Sequence, residues 1–173
     1  MNADARKKSR WHRWLLEIAA IIAMLLAVNA WHTRDAPSGP APAFSGTLLD
    51  GTPASLTDIQ GRPALLHFWA TWCPVCGLEQ GMIDALADDY PVLTVAMDAA
   101  PAGEIRAYMQ GKGVDYPVVH DRDFSISRLY GIRGVPTSYI IDADGRIRFV
   151  ETGFTTGIGL RLRLWWAGLY APG

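Results

Sequence analysis

The two cysteines of the chain, Cys73 and Cys76, lie three positions apart in the segment WCPVC. Two thiols at this spacing can close a disulfide with each other and open it again. No third cysteine is present to form a structural bridge with either of them. The covalent sulfur chemistry of the chain is therefore confined to one local site, which indicates thiol–disulfide exchange.

An apolar run, residues 64–70, precedes the pair, and a helix-like stretch follows it. A helix that begins at the pair places Cys73 beside unpaired backbone N–H groups, at the positive end of the helix dipole. This position lowers the pKa of the Cys73 thiol, so that its thiolate can attack a substrate disulfide. Cys76, one turn further on, is shielded and resolves the mixed disulfide. Pro74 fits the first helical turn and restricts the loop.

Metal binding is the main alternative for a cysteine pair of this spacing. A zinc site needs two more ligands, but the four histidines are scattered at positions 12, 32, 67 and 120. Two thiolates and one histidine can hold Cu(I), so a copper chaperone is the alternative function. A peroxide-reducing enzyme would need a single peroxidatic cysteine in a Thr/Ser-rich loop, and Trp72 and Pro74 flank Cys73 instead. Disulfide exchange, the favoured chemistry, needs no metal, nucleotide or flavin cofactor.

Composition bounds the remaining possibilities. The chain has 173 residues, half of them apolar, and a net charge of −1, which suits one domain with a buried core. Five of the 16 basic residues lie in residues 1–13, against one acid. Residues 32–173 carry 11 basic and 15 acidic residues, a balance of −4. The body of the protein therefore has no basic patch, and we expect no nucleic-acid partner.

The N-terminal region has the pattern of a membrane anchor. Residues 14–31 are apolar except for Glu17 and Asn29, begin and end with tryptophan, and follow the basic residues 1–13. We expect a transmembrane helix at 14–31 with a cytoplasmic tail at 1–13. A cleaved signal peptide is the alternative, because residues 28–30 form an acceptable cleavage site. Residues 32–43, a Pro/Ala-rich linker, would then hold the domain at 44–173 away from the membrane.

Strand-like and helix-like segments alternate from residue 44 onward, which predicts an α/β sheet with a hairpin at one end. The predicted strands are a hairpin at 44–49 and 53–56, then 64–70, 92–97, 116–120, 137–141 and 146–152. The predicted helices run from the cysteine pair to about residue 89, over 103–110, over 124–130 and along the C-terminal stretch.

The C-terminal helix carries a large apolar stripe at helical spacing. The stripe consists of Ile158, Leu162, Trp165, Trp166 and Leu169, and Arg161 and Arg163 are expected to point outward. Of the two tryptophans, Trp165 is expected in the core and Trp166 at the surface.

Two segments resemble the thioredoxin family. Residues 68–76, FWATWCPVC, are similar to its active-site segment, and residues 134–137, GVPT, are similar to its cis-proline loop. With the leading apolar segment, the hairpin and an extra strand–helix segment around 98–120, the chain resembles the membrane-anchored, periplasmic TlpA/ResA/CcmG (DsbE) branch. The CPVC context resembles ScsD-type copper-sensitivity suppressors most. The resemblance covers about residues 44–170.

This resemblance implies a thioredoxin fold with an N-terminal β-hairpin and a central strand–helix insertion, preceded by one transmembrane helix. It makes Cys73 the attacking and Cys76 the resolving cysteine. Pro136 matches the cis-proline that faces the disulfide. The residues expected to contact substrate are Trp72, Pro74, Val75, Val135 and Thr137.

Two ionisable residues are candidates for moving a proton to and from Cys76. Glu79 matches an acidic residue that the ResA/CcmG branch places near the site; the alternative is a solvated glutamate in the first turns of the helix. His67 stands where thioredoxin has a buried aspartate. Its imidazole can shuttle the proton, or it can be a core histidine hydrogen-bonded to the backbone.

The resemblance also implies partners and a location. Protein thiols or disulfides are the expected substrates, and a reductase in an oxidising compartment needs electrons from a membrane thiol carrier of the DsbD/CcdA type. The expected location is the bacterial inner membrane, with a single span and the catalytic domain in the periplasm. The direction of electron flow is not fixed by sequence, because about 30 mV of reduction potential already corresponds to ~1.4 kcal/mol.

Overall fold

The computed structural model describes residues 36–170, together with residues 11, 14–21, 23 and 24. The chain divides into two compact units, with the boundary between residues 34 and 35. In the first unit, residues 14–21, 23 and 24 are helical. Within the described residues, no helix has the length and apolar character needed to cross a membrane. Much of the predicted anchor, 14–31, and nearly all of the predicted tail, 1–13, lie outside the described residues.

The second unit contains eight strands and four α-helices among its described residues. The strands are β1 (Gly39–Pro40), β2 (Ser45–Thr47), β3 (Pro53–Ser55), β4 (Ala64–Trp69), β5 (Val92–Ala96), β6 (Val118–His120), β7 (Thr137–Ile141) and β8 (Arg146–Thr152). The helices are α1 (Cys76–Ala87), α2 (Ala102–Lys112), α3 (Ser125–Leu129) and α4 (Gly157–Gly168), and a 3₁₀ turn spans Leu56–Ile59.

Six strands form the main sheet in the order β1-β8-β7-β4-β5-β6. Strands β4, β5 and β6 are parallel, whereas β7 pairs antiparallel with β4, and β8 pairs antiparallel with β7. Strand β4 lies in the middle and all six of its residues are buried, as its continuous apolar run predicts. The α/β sheet with a terminal hairpin is thereby confirmed.

Each face of the sheet has its own hydrophobic core, because alternate residues of β4 point to opposite faces. Leu65 and Trp69 belong to the core beneath α1, α2 and α4. Leu66 and Phe68 belong to the core on the other face, with Tyr130 and Tyr139. His67 has the same parity as Leu65 and therefore lies on the face that α1 and α4 cover.

The predicted hairpin is formed by β2 and β3, which make a separate two-stranded sheet. It is attached to the edge of the main sheet, where Leu48 bridges Val119 and the N–H of Leu49 donates to the carbonyl of Val118. Part of the linker predicted at 32–43 packs on this domain. Gly39 and Pro40 form β1, which pairs with β8. The carbonyl of Pro42 accepts a hydrogen bond from the hydroxyl of Tyr130 at 2.7 Å.

Helix α2 is longer than predicted at its C-terminus. Gly111 was expected to end it, but the helix continues to Lys112 and is capped by Gly113, whose φ is +68°. A left-handed backbone suits glycine, so the second of two nearby glycines takes the cap and the first is tolerated inside the helix.

The apolar stripe of the C-terminal helix is not its buried side. Helix α4 buries Leu160, Leu164 and Ala167, whereas all five residues of the stripe are exposed. The prediction that Trp165 lies in the core is wrong, whereas Trp166 is at the surface as expected. The C-terminal end of the helix lies close to the turn before β4, since a Cβ on Gly168 would lie 3.3 Å from Pro63. Arg161 and Arg163, expected to point outward, are half-buried in ion pairs with Asp89 and Glu151. The close approach leaves no room for the bulkier stripe.

The junction between the hairpin and the main sheet gives a first prediction. A Cβ at Gly46 would overlap Cγ1 of Val119, so Gly46→Ala should lower the free energy of unfolding by roughly 1–3 kcal/mol. Gly81→Ala is the matched control. It lies in α1 with no atom within 4 Å of its Cβ position, and should raise stability by up to ~1 kcal/mol. Thermal unfolding of both variants measures the difference; equal effects would contradict the assigned contact.

Candidate active site

The cysteine pair is closed as a disulfide, with 5.3 Å between the two Cα atoms. Cys76 is the first residue of α1, so the helix begins at the second cysteine rather than the first. The sulfur of Cys73 nevertheless lies at the helix N-terminus, where the N–H of Cys76 points at it from 3.1 Å. Once the disulfide opens, this N–H is placed to stabilise a thiolate on Cys73.

The two sulfurs differ in access. Cys73 is 5% exposed and Cys76 is wholly buried. Around Cys73 the chain exposes apolar side chains, namely Trp72 (64%), Val75 (40%) and Leu78 (70%), and Pro74 is exposed as well. An incoming sulfur therefore reaches Cys73 first. Leu78 lies one helical turn beyond Val75, the last of the three residues in this segment that were predicted to contact substrate.

The loop before β7 closes the other side of the site. The Val135–Pro136 peptide is cis, and the carbonyl oxygen of Val135 lies 3.5 Å from the sulfur of Cys73. Thr137 is buried, and its hydroxyl donates to the carbonyl of Gly134 at 2.8 Å. Its side chain thus braces the loop. The contacts of Val135 and Thr137 with a substrate remain predictions.

Glu79 is buried, one helical turn after Cys76 and on the same face of α1. Its carboxylate accepts a hydrogen bond from the N–H of Thr155, in the loop between β8 and α4. Burial raises the pKa of Glu79 to about 7, although the Thr155 N–H opposes the change. The carboxyl group can therefore hold or release a proton near neutral pH.

His67 is buried in β4, and its Nδ1 is hydrogen-bonded to the hydroxyl of Ser138 on the neighbouring strand β7 at 2.9 Å. Burial lowers the pKa of His67 to about 4. The imidazole is therefore neutral at physiological pH, and its hydrogen bond is to a side chain rather than to the backbone.

Asp98 is a site residue that sequence reasoning missed. It follows β5, and its carboxylate accepts hydrogen bonds from the N–H and hydroxyl of Thr71 and from the N–H of Ala100. Burial alone would raise the pKa of Asp98, but these hydrogen bonds outweigh it and lower that pKa. Asp98 anchors the loop that leads into Cys73. One feature of the sequence could have identified it. Asp98 follows the carboxyl end of a predicted strand, and the loops after neighbouring parallel strands meet at the same edge of a sheet.

The copper alternative requires a third metal ligand beside the two cysteines. Among the described residues, no group of three or more His, Cys, Asp and Glu side chains is placed to hold a metal ion. The cysteine pair therefore lacks a third ligand within the described part of the chain.

A buried central strand that leads to a CxxC disulfide at a helix start, facing a cis-proline loop, defines a thioredoxin-like thiol–disulfide oxidoreductase. Residues 37–150 match the AhpC/TSA family, and the chain belongs to that family.

Named relatives agree with this class. The chain is 31% identical over 128 residues to the thiol-disulfide oxidoreductase ResA of Geobacillus thermodenitrificans, covering 72% of this chain and 74% of the relative. It is 31% identical over 159 residues to the thioredoxin-like protein YneN of Bacillus subtilis, covering 83% and 92%. A putative thiol:disulfide interchange protein DsbE from Chlorobium tepidum superimposes with a TM-score of 0.69 at 27% identity, covering 77% of this chain and 99% of that one. The predicted ResA/CcmG/TlpA branch and its enzyme class are confirmed.

The burial of His67 gives a prediction for acid stability. Its pKa is about 4 in the folded state and 6.5 ordinarily, so the unfolded chain takes up the proton first. The stability due to neutral His67 is complete above pH 6.5 and is lost as pH falls towards 4, by about 3 kcal/mol in all. His67→Gln should remove this part of the pH dependence. Denaturant unfolding of both proteins between pH 7 and 4 measures it; parallel curves would show that His67 does not titrate as assigned.

Proposed function

We propose that the protein is a membrane-anchored thiol–disulfide reductase whose catalytic domain works in the periplasm. The observation that carries the direction of electron flow is the complete burial of Cys76 on a helix face shared with Glu79. A disulfide becomes a strong oxidant when its reduced form is stabilised as thiolate. Burial and a neighbouring carboxylate disfavour a thiolate on Cys76, so the dithiol gives up its electrons more readily.

In the proposed reaction, the Cys73 thiolate attacks one sulfur of a substrate disulfide and releases the other as a thiolate. Cys76 then loses its proton and attacks the sulfur of Cys73. This step closes the Cys73–Cys76 disulfide and releases the second substrate thiolate. The substrate has gained two electrons and, after protonation, two protons.

Glu79 is the proposed acceptor of the Cys76 proton. Residues three apart on a helix are neighbours, and a carboxyl group with a pKa of about 7 exchanges protons readily at neutral pH. His67 is less suited, because a pKa of about 4 leaves it a weak base. We assign His67 a structural role, through its hydrogen bond to Ser138.

The proposed substrate surface is the apolar rim around Cys73, formed by Trp72, Pro74 and Val75. The carbonyl of Val135 lies beside the reacting sulfur, and the backbone of this residue would pair with an extended substrate segment. The substrates would be protein disulfides, and a membrane dithiol carrier of the DsbD/CcdA type would return electrons to the oxidised enzyme. The apolar segment at 14–31 supports anchoring close to such a carrier.

The reduction potential tests the direction of electron flow. Equilibration of the detergent-solubilised full chain with dithiothreitol redox buffers should give a value near that of thioredoxin, about −270 mV, rather than that of DsbA, about −120 mV. A potential near −120 mV would refute the reductase assignment.

The pH profile tests the proton acceptor. Glu79→Gln should shift the pH dependence of insulin reduction around pH 7, more than His67→Ala does. If the pH profile of insulin reduction is unchanged in Glu79→Gln but shifted in His67→Gln, the acceptor of the Cys76 proton is His67 and not Glu79.

Substrate trapping tests the roles of the two cysteines. Cys76→Ser should hold substrates as mixed disulfides on Cys73, because no resolving thiol remains. Cys73→Ser is the matched control and should trap far less, since Cys76 is wholly buried. Non-reducing electrophoresis of acid-quenched cells separates the two outcomes. Greater trapping by Cys73→Ser would reverse the assignment.

Membrane fractionation tests the anchor. The full chain should stay with membranes after a carbonate wash, because about 18 apolar residues suffice for one span. A released form that begins at Trp31 would establish the signal-peptide alternative instead.

A further inference from the structure

Helix α4 has two apolar sides, and one of them is in water. Its inner side, Leu160, Leu164 and Ala167, packs on the sheet. The outer face of α4 consists of exposed large side chains, namely Ile158 (75%), Leu162 (59%), Trp165 (60%), Trp166 (53%) and Leu169 (63%). Leu169 follows the helix but keeps helical backbone angles, so it continues the same face.

The size of this face sets it apart from scattered surface hydrophobes. A large apolar or aromatic side chain offers about 150–250 Å², so the exposed fractions correspond to about 600 Å² of contiguous surface. Patches of this size on soluble domains mark interaction sites. The residues of the catalytic rim, Trp72 and Val75, are not part of the face.

The spacing of the face indicates what covers it. Ile158, Leu162, Trp165 and Leu169 are separated by four, three and four positions, which is the seam of a two-helix coiled coil. The row reads the same in both directions. If a second copy lies antiparallel, its Leu169 meets Ile158 and its Trp165 meets Leu162, so every seam residue has an apolar partner.

The charges around the face favour another copy over a lipid surface. Arg161 is paired with Asp89, and Arg163 is paired with Glu151, within the same chain. Interfacial helices bind anionic lipids through basic residues on their flanks, and these two arginines are already neutralised. For the same reason, the arginines of α4 would not repel each other when two copies pack together.

The area is sufficient for a reversible dimer. Burying about 600 Å² on each of two copies removes about 1,200 Å² from water, the lower limit of specific protein interfaces. Tryptophan at the centre of such a patch is typical of residues that dominate binding energy.

We propose that the outer face of α4 is the contact surface of a homodimer in which two copies of α4 pack antiparallel.

Disulfide cross-linking in membranes tests the contact and its direction. Two full-length variants, Ile158→Cys and Leu169→Cys, are produced together, each also carrying Cys73→Ser and Cys76→Ser. Oxidation of the reduced membranes with copper phenanthroline should join unlike chains at least ten times more than like chains. Preferential joining of like chains would show a parallel pair, and absence of cross-linked chains would show that α4 does not pair; either result overturns the proposal.

A charge placed in the seam provides the matched comparison. Leu162→Asp, added to both cross-linking variants, should reduce the yield at least tenfold. Leu129→Asp is the control, because Leu129 is an exposed leucine (49%) on α3, outside the seam, and it should leave the yield unchanged. Circular dichroism of each purified protein establishes that the fold is kept. An unchanged yield in Leu162→Asp refutes the contact.

A lipid surface is the other possible occupant of this face, and the cross-linking experiment distinguishes it from a second copy. If α4 lay on lipid, Ile158→Cys and Leu169→Cys would not be joined in membranes, and that result would overturn the homodimer.

Discussion

The antiparallel pairing of β7 with β4 is the constraint on which the site depends. Phe68 pairs with Thr137, so the loop before β7 arrives beside the point where the chain leaves β4. The residues that leave β4 carry Cys73, and the residues that enter β7 carry Val135. Two residues that are 62 positions apart in sequence thus meet within 3.5 Å because of one strand register. A slip of one residue would turn every side chain of β7 to the opposite face and separate them.

Three buried ionisable groups near this strand pair differ in their protonation state. His67 sits in the middle of the sheet and stays neutral, Glu79 is poised near neutrality, and Asp98 is kept ionised by donated hydrogen bonds. Each outcome follows from the local balance of burial and donated hydrogen bonds rather than from the residue type, since the pKa values of the two carboxyl groups shift in opposite directions. A proton can therefore be exchanged at one of them while the other holds the loop before Cys73 in place.

Local patterns predicted most of the elements. The continuous apolar run of β4, the two short strand-like segments at 44–49 and 53–56, and the alternation of strands with helices were enough to predict the sheet and the hairpin. The CxxC and GVPT segments were enough to predict a cysteine pair at a helix start that faces a cis-proline loop. Asp98 was missed because its bonds to Thr71 depend on which strands are neighbours. The prediction that Trp165 of α4 lies in the core was wrong because the helix has two apolar stripes. Periodicity shows that both exist, but the close approach of Gly168 to Pro63 decides which one is buried.

Strand β1 has a consequence for how the domain behaves when it is cut from the rest of the chain. Gly39 and Pro40 pair with Ile147 and Arg146, and the N–H of Ala41 donates to the carbonyl of Gly145, so this short segment covers the start of the seven-residue strand β8. Further along β8, Arg148 and Glu151 place charges beside the open edge. A fragment that begins after Ala41 would expose an unpaired row of backbone groups, and such edges recruit strands from other molecules into aggregates. Residues 39–41 thus protect one end of the β8 edge, and a fragment that lacks them is expected to aggregate more readily than one that keeps them.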